Sequence, residues 1–132
     1  MARPLLEMPA WMSRPRQALG KLGEDLACRE LERRGWAILA RRYRRRGGEL
    51  DIVARDGQTV VFVEVKTREG SDYGAGVEAI TALKRRRLAD VALDYVVRNR
   101  LHKCPCRFDV ASIEFGADGV KIEWYQNAFD VG

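Results

Sequence analysis

Glu49-Leu-Asp-Ile-Val-Ala-Arg-Asp-Gly-Gln-Thr-Val-Val-Phe-Val-Glu-Val-Lys-Thr67 is the stretch that decides the fold. Its first half alternates polar and apolar residues, Asp56-Gly57 is a strong hairpin turn, and the β-branched and aromatic run from Thr59 to Thr67 marks a central strand. A two-residue Asp56-Gly57 turn sets Arg55 opposite Gln58, Asp51 opposite Phe62 and Glu49 opposite Glu64. Side chains alternate along a strand and opposite residues share a face, so Glu49, Asp51, Glu64 and Lys66 are expected to point one way. Glu64 and Lys66 then stand about 7 Å apart. Diagonal neighbours in such a ladder lie within about 7–8 Å, close enough for Asp51 and Glu64 to reach one ion. A three-residue loop would place them on opposite faces.

Outward from the hairpin, Leu19, Leu22, Leu26, Ala27 and Leu31 recur at helical spacing between Gln17 and Arg34, and Gly35 ends that helix. Trp36 to Ala40 reads as a strand running into the basic cluster Arg41-Arg-Tyr-Arg-Arg-Arg46 and a Gly47-Gly48 turn. Downstream, Arg68 to Gly76 reads as a loop. Ile80, Leu83, Leu88, Val91, Ala92 and Tyr95 form the stripe of a second helix from Val77 to about Arg98. Arg107–Phe115 and Val120–Tyr125 are two further strands around an Ala117-Asp-Gly119 turn. The order αβββαββ predicts an α/β fold with a mixed sheet of about five strands flanked by helices.

The chain has 132 residues, 46% hydrophobic and 33% charged, the profile of one soluble globular domain. Residues 1–15 read as a flexible leader and 16–132 as the domain. The leader lacks the uninterrupted apolar region of an export signal, and no stretch approaches the ~20 apolar residues of a spanning helix. Three cysteines, Cys28, Cys104 and Cys106, do not suggest a disulfide framework. The expectation is a cytoplasmic protein with no membrane partner. The formal charge of +5 is unevenly placed: through Arg46 there are 12 basic and five acidic residues, a net +7, and the remainder is −2. That asymmetry points to an anionic partner, nucleic acid before membrane.

Charged groups at alternate positions of an apolar central strand need a reason, because an unpartnered buried charge is expensive. Converging carboxylates repel until a cation or a raised pKa relieves them. Few oxygen ligands with open water positions suit Mg²⁺ or Mn²⁺, which can polarise a phosphodiester and assist a water that attacks it. Lys66 is placed to orient that water or to stabilise the charged phosphate. The alternative is an exposed ion-pair ladder on a half-solvated sheet.

Asp51 followed across a hairpin by Glu64-Val-Lys66 resembles the PD-(D/E)xK nuclease signature. The element order resembles that of archaeal Holliday-junction resolvases. More closely, Gly20-x-x-Gly-Glu24-x-x-Ala27, Gly47-Gly-Glu-Leu-Asp-Ile52, Val61-Phe-Val-Glu-Val-Lys-Thr-Arg68, Arg107-Phe-Asp-Val110 and Asn127-Ala-Phe129 resemble the bacterial YraN-type family of uncharacterised proteins, over about residues 18–129. The resemblance implies a restriction-endonuclease-like fold. It implies Asp51 and Glu64 as ligands of Mg²⁺ or Mn²⁺, Lys66 as the catalytic lysine, Glu24 as the helix-borne acid completing the site, and Glu49 as an extra ligand or a group behind one. Leu50 stands where the signature has proline, a change in strand entry that removes no ligand. The implied activity is a metal-dependent endonuclease on branched or structured DNA, and resolvases of this kind are homodimers because two symmetric cuts need two sites. The competing reading is a DNA-binding accessory module that keeps the fold and cuts nothing.

From spacing alone, Glu24 lies near Lys21 and Cys28, away from the Leu22–Leu26 row, and reads as an exposed acid. Arg41, Arg42, Arg44, Arg45 and Arg46 around Tyr43 suit phosphate contacts with one aromatic able to stack, and Arg68 and Lys84 extend that set. A solvated strand end is the alternative. Lys84 to Arg87 reads equally as a solvated helix face. His102-x-Cys104-x-Cys106 lacks the spacing of a zinc knuckle, and His102 reads as a surface residue. Trp36, Trp124 and Phe129 read as core or closing residues.

Overall fold

A computed structural model describes residues 16–70 and 80–129; the expected leader, most of the expected loop and the expected helix start at Val77 lie outside these. The elements are α1 (Arg16–Arg33), β1 (Ala37–Arg45), β2 (Gly48–Asp56), β3 (Thr59–Glu69), α2 (Ala82–Arg98), β4 (Cys106–Gly116) and β5 (Gly119–Tyr125). This is the expected αβββαββ order. The five strands form one sheet in the order β1-β2-β3-β4-β5, antiparallel throughout except that β3 and β4 run parallel. A parallel pair needs a crossover, and α2 lies on it. The two helices cover opposite faces of the sheet.

β3 explains the layering. Val60 and Phe62 join the core beneath α2, while Val61 and Val63 join the core beneath α1. A strand buried on both faces reads as a continuous apolar run rather than an alternation.

The hairpin differs in detail from its expected register. Asp56 pairs with Thr59, so the loop is Gly57-Gln58 and each partner moves by two residues. Gly57 takes φ +60, and Gln58 has no positive φ. A positive φ at the first loop position alone is what a type II′ turn demands, and glycine meets it without strain. A shift of two keeps the parity of the ladder. Ile52 lies opposite Val63 as the last pair of the ladder, and Asp51 and Glu64 come just beyond it.

α1 buries Leu19, Gly23, Glu24, Ala27, Cys28 and Leu31, leaving Leu22 and Leu26 only half-buried. The expected stripe is therefore rotated, and Glu24 is buried rather than exposed. The cause is Gly23, where an added β-carbon would overlap the Thr67 hydroxyl of β3. Without a side chain there, the helix settles onto the strand at its glycine side. α1 ends as predicted at Gly35, which takes φ +84. The Trp36 N–H donates to Leu31 O and the Gly35 N–H to Glu32 O, the paired bonds of a Schellman cap.

α2 starts at Ala82 because Thr81 caps it, its side-chain oxygen accepting from the Lys84 N–H at 3.1 Å. β1 runs on through Arg45, taking in most of the basic cluster expected to follow it.

At the other end of the sheet, the fully buried Asp109 accepts from Arg107, from Trp124 Nε1 and from the Asn127 N–H. Trp36 and Trp124 meet edge to face at 5.6 Å, and Phe129 packs on Phe108 at 4.9 Å. The Arg107-Phe-Asp-Val110 and Asn127-Ala-Phe129 blocks thus close the core. His102 is exposed in the α2–β4 connection.

Candidate functional site

The site is made where β1, β2 and β3 stop behaving as regular strands. Leu50 packs in the core under α2, Ile52 in the core under α1 and Val53 again under α2. Strict alternation would put Leu50 and Ile52 on one face. The break falls at Asp51. Across from it on β1, between the partners Arg41–Ile52 and Tyr43–Leu50, Arg42 takes φ +51. A left-handed residue in a strand lets two successive side chains share a side, and Arg41 and Arg42 both reach Glu24 of α1.

On the other flank, Asp51 Oδ2 accepts from the Val65 N–H at 2.8 Å. The Asp51 carboxylate thus takes a main-chain donor of β3, just past the last regular β2–β3 pair, and sits at the seam between the two strands.

This corrects the expected single face. Asp51 and Glu49 open, with Lys21, Glu24, Arg42 and Arg44, into a cavity of about 760 Å³ on the α1 side. Glu64 and Lys66 follow the Val60–Phe62 set toward α2, where Lys84 Nζ lies 3.0 Å from Glu64 Oε1 and Lys66 Nζ 3.8 Å from the same oxygen. A second, smaller cavity of about 260 Å³, lined by Gly48, Glu49, Thr81, Lys84 and Arg87, opens on that side. Asp51 is the junction of the two halves.

Its electrostatics show this. Burial, first, and then the charges of Glu64, Glu24 and Glu49 push the Asp51 carboxyl up to about 7, against the opposing pull of the Val65 N–H. Lys66 is pushed down by burial and by the neighbouring Lys84. Burial opposes the charge of Lys84 as well, but its bonds with Lys66 and Glu64 outweigh that and hold it up. Of the two lysines, Lys66 gives up its proton more readily.

The remaining expected ligands are engaged elsewhere. Glu24 is gripped by Arg41 at 3.0 Å and Arg42 at 3.2 Å, and Glu49 by Arg44 at 2.9 Å. Among the described residues, no group of three or more His, Cys, Asp or Glu side chains is gathered to hold a metal ion. A four-carboxylate cage therefore does not fit this geometry. Asp51 and Glu64 offer the donor chemistry that Mg²⁺ or Mn²⁺ takes, since such an ion binds through one or two carboxylates and leaves its other positions to water and phosphate. The charge crowded on Asp51 is relieved either by a proton or by a cation.

The basic cluster is less free than its sequence suggests. Besides the grips on Glu24 and Glu49, Arg41 binds Asp25 at 2.7 Å, and Arg45 and Tyr43 both bind Asp94 of α2. Arg46 is exposed at the β1–β2 loop, and Arg68 is half-buried on β3 opposite Glu114. Tyr43 meets Tyr95 edge to face at 5.0 Å, so its ring is packed against the core as well as tied to Asp94. Lys84 was expected only as a nucleic-acid contact, and its place beside Glu64 is what sequence reasoning missed. The signal was there in its position, in the first turn after the Thr81 cap. Among the described residues no helix is long and apolar enough to cross a membrane.

The uncharacterised protein family UPF0102 matches residues 23–113. Similar chains of that description include one from Geobacter metallireducens, 47% identical over 120 residues, covering 91% of this chain and 98% of the relative. One from Symbiobacterium thermophilum is 48% identical over 112 residues, covering 84% and 95%. One from Pelotomaculum thermopropionicum is 42% identical over 120 residues, covering 89% and 100%.

Proposed function

The chain belongs to the uncharacterised protein family UPF0102, the YraN-type family, and from the site it carries we propose that it is a metal-dependent endonuclease acting on branched or structured DNA. The observation that carries this reading is the seam itself. Asp51, its carboxyl pushed up to about 7 by burial and then by the charge of Glu64, lies next to the point where two lysines approach Glu64 within 4 Å. A purely structural ion-pair ladder has no need of a strand irregularity that turns a buried carboxylate out of the ladder and leaves it under the charge of other acids.

Asp51 and Glu64 would hold Mg²⁺ or Mn²⁺, and the ion when bound supplies Lewis acidity toward a phosphodiester oxygen. Asp51 is kept in place by the Val65 N–H, and Glu64 by Lys84. Lys66, the lysine readier to lose its proton, takes a proton from the attacking water at its Nζ. Lys84 stays cationic and offsets charge building on the phosphate. Glu24 sets the position of Arg42 in the larger cavity, where it and Arg44 meet the backbone. None of these groups reads base edges, so recognition is of backbone and shape.

The grips on Glu24, Glu49 and Glu64 favour the second reading, a DNA-binding accessory module with a closed site. Cleavage separates the two. Labelled four-way junctions, flaps, single strands and structured RNA are incubated with Mg²⁺ or Mn²⁺, beside Asp51→Asn and Lys66→Ala. Products that need the metal and are lost in both variants are expected. Absence of products, or products indifferent to either substitution, sinks the enzyme.

A further inference from the structure

Two thiols lie far from the seam and take no part in its chemistry. Cys104 ends the α2–β4 connection, Cys106 opens β4 with Pro105 between them, and neither is in a disulfide. The backbone around them is pinned. The Cys104 N–H donates to Leu101 O at 2.9 Å, and Pro105 O accepts from the Val60 N–H at 2.8 Å. Cys106 pairs with Val60 and stands two residues before Phe108, so it faces the α2 side of the sheet; Cys104 packs against the core on that same side. Cys106 is exposed, yet its Sγ lies 3.6 Å from Cys104 O, turned back along the chain instead of out into water. Burial, and then the charge of Cys104, push the Cys106 thiol up. Two ionised thiols placed this way repel, and a cation between them relieves the repulsion.

We propose that Cys104 and Cys106 form a two-thiolate site for a soft monovalent cation of the Cu⁺ class at the start of β4. Two sulfurs on one side of a pinned backbone, two residues apart, make a chelate whose shape is set before the ion arrives. Thiolates select soft ions over Mg²⁺ and its kind. Zn²⁺ asks for four tetrahedral ligands, and among the described residues no third His, Cys, Asp or Glu is gathered with this pair. Cu⁺ is satisfied by two thiolates in a line. Binding forms two sulfur–copper bonds and releases both thiol protons to water, which leaves the complex with one negative charge. The chain around it suits that charge, since Tyr95 to Phe108 holds no acid, and Arg100 and Lys103 precede the pair. The ion ties the α2–β4 connection to the first residue of β4, so it stabilises the folded chain. Its place is beside Val60 at the start of β3, whereas the seam lies toward that strand's other end at Glu64 and Val65. The site therefore stands apart from the proposed endonuclease.

The experiment titrates the reduced full chain anaerobically with Cu⁺ held by bicinchoninate, whose coloured complex reports the copper it keeps. The expected result is transfer of one ion per chain, a sulfur-to-copper charge-transfer band in the ultraviolet and a rise in melting temperature. Cys106→Ser, a change at an exposed position, keeps the circular dichroism of the parent and loses all three responses. Cys104→Ser loses them as well. Cys28→Ala, which removes the thiol buried under α1, keeps them. Absence of transfer from bicinchoninate, or transfer that survives Cys106→Ser, overturns the site. One ion per two chains, with a shift to dimer in gel filtration, also overturns it, because the ion then joins copies through single thiols. Zn²⁺ held as firmly as Cu⁺ and lost in the same variants overturns the soft-ion assignment. Cleavage of a four-way junction by Cys106→Ser is expected to equal that of the parent, so the fate of this site and that of the endonuclease are read separately.

Discussion

Asp51 Oδ2 accepts the Val65 N–H at 2.8 Å across the seam between β2 and β3. The bond fixes a carboxylate where burial and three other acids push its pKa up to about 7 from 3.8. A group whose folded pKa is raised binds more protons in the folded state, so stability falls as pH rises between the two values and the loss is complete above the folded one. Asp51→Asn keeps an oxygen for the Val65 N–H and removes the charge. At pH 8 the variant melts at least about 4 °C higher than the parent, and near pH 4 the difference closes. Melting curves at the two pH values check this, and an equal difference at both would show that Asp51 carries no such burden.

The same charge predicts a response to metal. At pH 8, Mn²⁺ raises the melting temperature of the parent chain by binding the folded state. It raises that of Asp51→Asn far less. The measurement is a melting titration in Mn²⁺, and identical titrations for the two chains would remove Asp51 from the binding site.

Gly23 carries a prediction about packing. A methyl at this position would overlap the Thr67 hydroxyl, so Gly23→Ala costs about 1–3 kcal/mol in spite of alanine's better helix propensity. Thr67→Ala removes the obstructing atoms, and in that background Gly23→Ala recovers most of the loss. Urea unfolding of the four chains gives the coupling energy. Additive effects would mean that α1 rests on β3 without this contact.

The outline of the fold was legible because β3 is apolar on both faces, Gly35 is a cap and Gly57 a turn, each a local signal. The hairpin was legible too, since a register wrong by two residues keeps parity as far as Ile52 opposite Val63. The face of Asp51 was not legible. Alternation is the rule that sequence reasoning has for strands, and here it is broken by Arg42 at φ +51, an arginine with no glycine to advertise it. Burial of Glu24 escaped for a similar reason: the helix turned toward Gly23, and a missing side chain leaves no mark on an apolar stripe. The basic cluster was visible, while its partners Asp25 and Asp94 lie on two distant helices.

Asp109 tests whether the Arg107-Phe-Asp-Val110 block belongs to the scaffold. The carboxylate is fully buried and serves Arg107, Trp124 Nε1 and the Asn127 N–H together. Asp109→Ala leaves two donors and one side of a guanidinium without the buried carboxylate they share, at a cost of about 3–5 kcal/mol. Most of a small domain's stability is lost. Asp109→Asn keeps an acceptor and falls between. The urea midpoint orders the three chains, and a loss under about 1 kcal/mol for alanine would show that the other contacts hold this corner alone.

Glu24 gives the opposite pattern. Its partners Arg41 and Arg42 are 38% and 49% exposed, and Arg41 keeps Asp25 when Glu24 is neutralised. Glu24→Gln therefore leaves two solvated arginines and an amide that still accepts a hydrogen bond, at a cost of about 1 kcal/mol or less. On the proposed endonuclease reading, the same change unfixes Arg41 and the cavity-lining Arg42 and removes a charge acting on Asp51. The cleavage rate on a four-way junction falls about 10²-fold or more, out of proportion to the stability lost. Paired unfolding and cleavage measurements decide it. Loss of stability with cleavage intact would make Glu24 a strut that ties α1 to β1 and nothing more.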